Sequence, residues 1–171
     1  MKEQVEKITT RSVGIQYGLV ATVATVVLFL IPALIGQNPF KGVWNWGGAI
    51  VSIVILVLAH KKFKDEGDGY MSYGQGMGIA FWMVLVSTIL GFGFSYLYIT
   101  FIDSNPFELF MEDQLVEMQE SGAPDNAIEM SQEWTRKLFW PIGFVFGIGG
   151  GLVIALIVTI FTQKKSPETS I

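Results

Sequence analysis

Residues 138–162 read LFWPIGFVFGIGGGLVIALIVTIFT, without one charged side chain. About 20 apolar residues in a helix cross the roughly 30 Å hydrocarbon core of a bilayer, so this run is long enough to span one. Three further uncharged runs, residues 12–35, 43–59 and 70–102, meet the same test. Inside lipid no water is present to bond backbone N–H and C=O groups, which leaves the helix as the form such runs take. The expected fold is therefore all-α: a polytopic membrane protein with four transmembrane helices in a bundle, near 12–35, 43–60, 73–102 and 138–162. An extracytoplasmic amphipathic helical hairpin, 103–137, is expected between the third and fourth helices. The 171 residues then form a single membrane domain, 1–171.

The rest of the composition agrees with this reading and removes several chemistries. Half of the chain is hydrophobic and the mean hydropathy is +0.48. With no cysteine, disulfides, thiol nucleophiles and thiolate metal sites are excluded. The first run follows a charged leader that ends at Arg11, yet it is longer than the roughly 7–15 residues of a signal-peptide core and lacks a small-x-small cleavage site. It is read as a retained helix.

Lysine and arginine near span ends resist translocation and so set orientation. Lys2, Lys7, Arg11, Lys61, Lys62, Lys64, Lys164 and Lys165 fall on one side; Lys41, Arg136 and Lys137 fall on the other. Both termini are thus expected in the cytoplasm. The outward loop carries Asp103, Glu108, Glu112, Asp113, Glu117, Glu120, Asp125, Glu129 and Glu133, opposed within it by Arg136 and Lys137 alone. It is the acidic face of a chain whose net charge is −4, and no nucleic-acid partner is expected.

Local signals mark the element ends. Gln37-Asn38-Pro39-Phe40 is a turn, and Ser72 with Gln75 has capping-box spacing, placing the third helix start near Tyr73. Asn105-Pro106-Phe107-Glu108 reads as a helix start with Glu108 as the reciprocal cap. Phe107, Phe110, Met111, Leu115 and Met118 then recur at helical spacing, a face suited to docking on the protein's own spans or on another subunit. Gly122 ends that helix, and Pro124-Asp125 starts one that runs into the fourth span near Pro141.

Gly143, Gly147, Gly151, Ala155 and Thr159 are four residues apart along the fourth span. Small residues at this spacing let another helix backbone approach closely. Gly14 with Gly18, and Gly74 with Gly78, are read as two further close-packing faces. Tyr17-Gly18 and Tyr73-Gly74, with Asn38-Pro39-Phe40 and Asn105-Pro106-Phe107, also outline a faint parallel repeat of the two halves.

Candidate chemistry is thin. No span holds Asp, Glu, Lys or Arg, which argues against proton- or ion-coupled transport. Gln16, Asn45, Ser52, Gln75, Ser87 and Ser95 offer pore-lining groups, though interhelical hydrogen bonding is the commoner use of such residues. His60, the single histidine, is read as interfacial beside Lys61 and Lys62; one histidine does not make a zinc site of the usual kind. Gly74, Gly76 and Gly78 lack both the preceding strand and the lysine of a phosphate loop. No catalytic residue, metal site or cofactor is expected.

The run 59–64, AHKKFK, then 69–76, GYMSYGQG, then Tyr96-Leu97-Tyr98 with Phe101-Ile102-Asp103, resembles the family catalogued as domain of unknown function 4199. That resemblance extends over nearly the whole chain. It implies a small four-span inner-membrane protein of Gram-negative bacteria, with no established activity to carry over. The functional expectation is a non-enzymatic packing or accessory protein in contact with the lipid bilayer, a homo-oligomer or a subunit of a larger membrane complex, presenting its acidic surface to a partner or to itself. The alternative is a small channel or facilitator for an uncharged solute or lipid, with a polar path along Gln16, Ser52, Gln75 and Ser87.

Overall fold

The computed structural model describes residues 8–166, except for the side chain of Asn45. Lys2 and Lys7 of the orientation argument, and Asn45 of the pore-lining set, therefore lie outside the described residues. Five helices follow one another: α1 (Thr10–Leu34), α2 (Val43–Asp65), α3 (Tyr73–Phe101), α4 (Asn105–Glu120) and α5 (Asp125–Thr162). All but α4 are long and apolar enough to cross a membrane. The chain is an all-α, multi-pass membrane protein.

Each start and stop has a local cause. Thr9 Oγ1 accepts from the Ser12 amide at 3.0 Å while Ser12 Oγ accepts from the Thr9 amide at 3.2 Å, a reciprocal cap that begins α1 ahead of its apolar run. Ser72 and Gln75 do the same for α3, at 3.2 Å and 2.7 Å. Gly122, at φ 73°, turns the chain between α4 and α5 in a conformation that a side chain would strain. Helix α5 passes Pro141 without a break. At about 1.5 Å per residue it is about 57 Å long, so its first turns stand outside the hydrocarbon.

The start of α4 differs from the sequence reading. Ser104 precedes the helix and no side chain caps it. Glu108 does not reach back to the N-terminus. Its carboxylate is taken instead by Arg136 of α5 through two hydrogen bonds, 3.1 Å and 2.9 Å.

Helix α3 is the centre of the bundle, with α1 parallel to it on one side and α5 antiparallel on another. A methyl group added at Gly14 would lie 2.6 Å from both the Ile79 carbonyl oxygen and Trp82 Cβ; at Gly18 it would lie 2.8 Å from Val86 Cβ. On α5, Gly143 faces Phe92, Gly147 faces Phe92 and Thr88, Gly151 faces Val84, and Thr159 faces Gly76. Every step of four along α5 thus meets a step of four backward along α3, with glycine opposite a larger residue at four of the five levels. Ala155 and Ala80, both fully buried, occupy the remaining level with Ala21, Leu56, Met83 and Val158.

The glycines at the start of α3 are used otherwise than the sequence reading had them. Gly74 has nothing within 4 Å of its missing side chain, and Gly78 has ordinary contact with Thr10. Gly76 is the tight one, 2.6 Å from Thr159 Cγ2. The reason is helical period: Gly76 shares the buried face of Ile79, Ala80 and Met83, whereas Gly74 is turned away from it.

Gly18→Leu is expected to lower the thermal midpoint of the detergent-solubilised protein by the equivalent of about 1–3 kcal/mol or to prevent folding, because overpacking displaces α3. Gly93→Ala, where a Cβ meets nothing within 4 Å, is expected to leave the midpoint unchanged or raise it. Circular-dichroism melts of the two variants check this; equal losses would contradict the seam.

Candidate functional site

The two ends of the bundle are built differently. At the lysine-rich end, α2, α3 and α5 are pinned together by His60, which is fully buried. Its Nδ1 lies 2.7 Å from Thr162 Oγ1 and its Nε2 lies 3.1 Å from the Gly76 carbonyl oxygen. A carbonyl only accepts, so Nε2 carries the proton and donates to Gly76; in the neutral ring Nδ1 then accepts the single proton of the Thr162 hydroxyl, in place of the Val158 carbonyl oxygen 2.9 Å from that hydroxyl. Gly76 matters twice here, since its carbonyl accepts from the imidazole and its lack of a side chain admits the Thr159 methyl. The interfacial reading of His60 is thus corrected: α2 continues to Asp65, and His60 lies on the same face as Leu56, one turn on.

The same end is closed further by the backbone. Lys64 Nζ donates to the Thr162 carbonyl oxygen at 2.8 Å, capping the C-terminus of α5, where a cation is favoured. Met71 and Lys164 exchange two backbone hydrogen bonds, each 2.9 Å.

Toward the acidic end α2 and α5 part, and a cavity of about 470 Å³ lies between them. Trp44, Gly48, Ser52 and Leu56, one face of α2, form one wall; Gly143, Gly147, Gly151 and Ile154 of α5 form the opposite one. Thr25 and Phe29 of α1 and Val84, Ser87, Thr88, Phe92 and Ser95 of α3 line the rest. Among the described residues, none that borders it is charged. Its floor is the layer of Leu56 and Met83, packed with Ala155 and Val158, and below that the His60 pin. Gln16 and Gln75 are exposed elsewhere, so the polar groups of the four-residue path do not form one line. Ser52 and Ser87 share the cavity, and Gln75 is engaged in capping α3.

The roof is aromatic and carries α4. Pro39, Phe40 and Trp140 border the cavity. Above them the rings of Phe107 and Phe110 pack on Phe139 with centroids 5.0 Å apart in each case, and Phe110 lies 5.8 Å from Phe40. Such ring pairs contribute roughly 0.5–1.5 kcal/mol each beyond the area they bury. Met111 is only 2% exposed, and Leu115 and Met118 are half-buried. The face 107–118, expected to dock, therefore docks on its own chain.

Polar bonds fasten the cap. Asn38 Nδ2 donates to Asp113 at 2.7 Å, and Lys41 pairs with Asp113 at 3.4 Å and with Glu117 at 2.8 Å. The hydrogen bond that Lys41 donates to the Glu117 carboxylate raises the ammonium above its ordinary 10.5. The hydrogen bonds from Arg136 hold the Glu108 carboxyl below its ordinary 4.5. These side chains are half-exposed, so each pair contributes little alone. Together with the rings they fix one position of α4.

A pH dependence follows with a definite sign. Glu108 contributes fully above its unfolded value of 4.5 and loses that contribution as pH falls through its depressed value; Lys41 contributes fully below 10.5 and loses it as pH rises through its raised value. Protection factors of α4 amides in detergent, from hydrogen–deuterium exchange corrected for the intrinsic rate at each pH, are therefore expected to be flat near neutrality and to fall at both extremes. Glu108→Gln should weaken protection at neutral pH and remove the Glu108 share of the acid limb.

No curated protein and no solved structure matches the chain. The family model described as "Protein of unknown function (DUF4199)" matches residues 16–164, from the second turn of α1 to just beyond α5, and the chain belongs to that family.

Proposed function

We propose that the protein is a non-enzymatic accessory protein of the bacterial inner membrane, with both termini in the cytoplasm, which offers the acidic outward surface of α4 and early α5 to a basic partner in a membrane complex. The observation that carries this is the charge balance of that surface. Lys41, Arg136 and Lys137 are already paired with Asp113, Glu117, Glu108 and Glu133 of the same chain. Asp103, Glu112, Glu120, Asp125 and Glu129 have no basic partner among the described residues. Two copies meeting through this face would set like charges against each other, so a partner with lysine or arginine at its contact fits better than a second copy.

The glycine stripes support this division. Those of α1 and α5 are spent within the chain, unlike Gly74 and Gly78, so leucine at Gly151 would strike Val84 of its own α3 and report on folding and not on assembly. An enzymatic role has little support, since the single histidine is buried between a carbonyl and a hydroxyl. The cavity favours a second reading, a facilitator for an uncharged solute or lipid. Its floor of Leu56, Met83, Ala155 and Val158 would have to part for passage.

Two measurements test the main reading. The chain lacks cysteine, so Glu120→Cys and Lys165→Cys are unique labelling sites; an impermeant maleimide applied to spheroplasts is expected to modify the first and spare the second. Mild-detergent purification from native membranes is expected to retain a stoichiometric partner that is lost from the Glu112→Gln/Glu120→Gln/Glu129→Gln variant and in high salt, with helix content unchanged. Equal retention by the variant, or a lone protomer after cross-linking in intact membranes, overturns the proposal.

A further inference from the structure

The accessory reading makes no use of the cavity between α2 and α5, and its walls have a chemistry of their own. Thr25 and Ser87 donate their hydroxyls to their own helices, at the Ala21 and Val84 carbonyl oxygens. Ser52, Thr88 and Ser95 also line the cavity and have no hydrogen-bond partner among the described residues. Thr88 is only 8% exposed, with its methyl turned to Gly147. Among the described residues the buried hydroxyl without a partner is that of Thr159, outside the cavity; the oxygens of Ser52, Thr88 and Ser95 open on the hollow itself, so a guest that fills it strips them of other partners unless it supplies an oxygen or a hydroxyl of its own. Among the described residues the rest of the walls is apolar, aromatic or glycine.

Size and position define the guest further. A volume of about 470 Å³ is within the roughly 300–1,000 Å³ of small-molecule sites. Phe146, 74% exposed and so facing lipid, stands at its edge, which places the opening between α2 and α5 toward the bilayer. Unpaired acids crowd the surface at this end, and such a surface repels anionic headgroups.

We propose that this cavity binds one uncharged lipid-like molecule from the surrounding leaflet, a slender apolar chain with a hydroxyl or ester group held by Ser52, Thr88 and Ser95. The chain lies against Leu56, Met83 and Ile154, and the polar group sits at the level of the three hydroxyls.

Monooleoylglycerol is the probe and oleoyl lysophosphatidylglycerol its anionic counterpart, each titrated into the purified full-length protein in maltoside micelles and read by native mass spectrometry. One monooleoylglycerol per chain is expected, with the anionic lipid bound at least about tenfold more weakly. Gly48 lies one turn before Ser52, and a Cβ there meets nothing within 4 Å. Gly48→Leu should fill the space without a clash and reduce binding by more than about tenfold. Thr88→Val keeps the shape and removes the hydroxyl, for an expected loss of about threefold to tenfold. Thermal midpoints for both variants separate lost binding from lost fold. No uptake by the wild-type protein, equal binding of the anionic lipid, or wild-type binding by both folded variants overturns the proposal.

Discussion

The structure rests on the closeness with which α1 and α5 approach α3. In lipid, apolar side chains gain nothing by leaving one hydrocarbon for another, so helices associate through contact density and hydrogen bonds. Gly14, Gly18, Gly147 and Gly151 supply that density by giving up their side chains where α3 presents Trp82, Val86, Thr88 and Val84. With α3 held from two sides, α2 is placed against α1, where Leu56 joins Ala21 and Ala59 and Phe63 join Val13. At one end the imidazole of His60 also ties it to α3 and α5; toward the other it departs from α5, and the cavity is what remains.

The two ends also obey different solvents. The His60 bonds lie in a dry interior, where an unmade hydrogen bond has no water to replace it. The α4 cap lies at the water side, where rings packed edge to face gain from the hydrophobic effect and exposed ion pairs contribute modestly. Rigidity therefore falls on the lysine-rich end, while the acidic end combines a soft tether, an aromatic roof and a hollow beneath it.

The spans were legible in the sequence because crossing a bilayer is a matter of length and composition, which neighbours do not alter. The amphipathic face of α4 and the turn at Gly122 were legible for a similar reason, being local. What depended on partners far along the chain was not. Glu108 has capping-box spacing, but Arg136, 28 residues on, competes for it and wins through two charge-assisted bonds. The stripe from Gly143 to Thr159 was visible, yet its target, the chain's own α3, was not written in the stripe. His60 beside three lysines looks interfacial until the phase of α2 is known; its distance of four from Leu56 was the available clue. The cavity left a partial signal in Ser52, Ser87 and Ser95, three of the candidate pore-lining groups, which do border it; its position was not legible, because it arises where two helices part.

The acidic surface and the hollow are physically continuous. Lys41 neutralises Asp113 and Glu117 of α4 and is the immediate neighbour of Phe40, whose ring packs on Phe110 and Phe139 and borders the cavity. A basic partner that engaged Asp113 and Glu117 would compete with Lys41 for the same carboxylates and loosen the residue next to the roof. Trp140 carries the effect from the other side, since it packs on Phe139 above and on Phe92, in the wall, below. Engagement of the outward acids and occupancy of the cavity thus act on the same few rings. Any free-energy coupling between them must be reciprocal: a guest that stiffens the roof favours one position of α4, and a partner that fixes α4 favours one shape of the cavity.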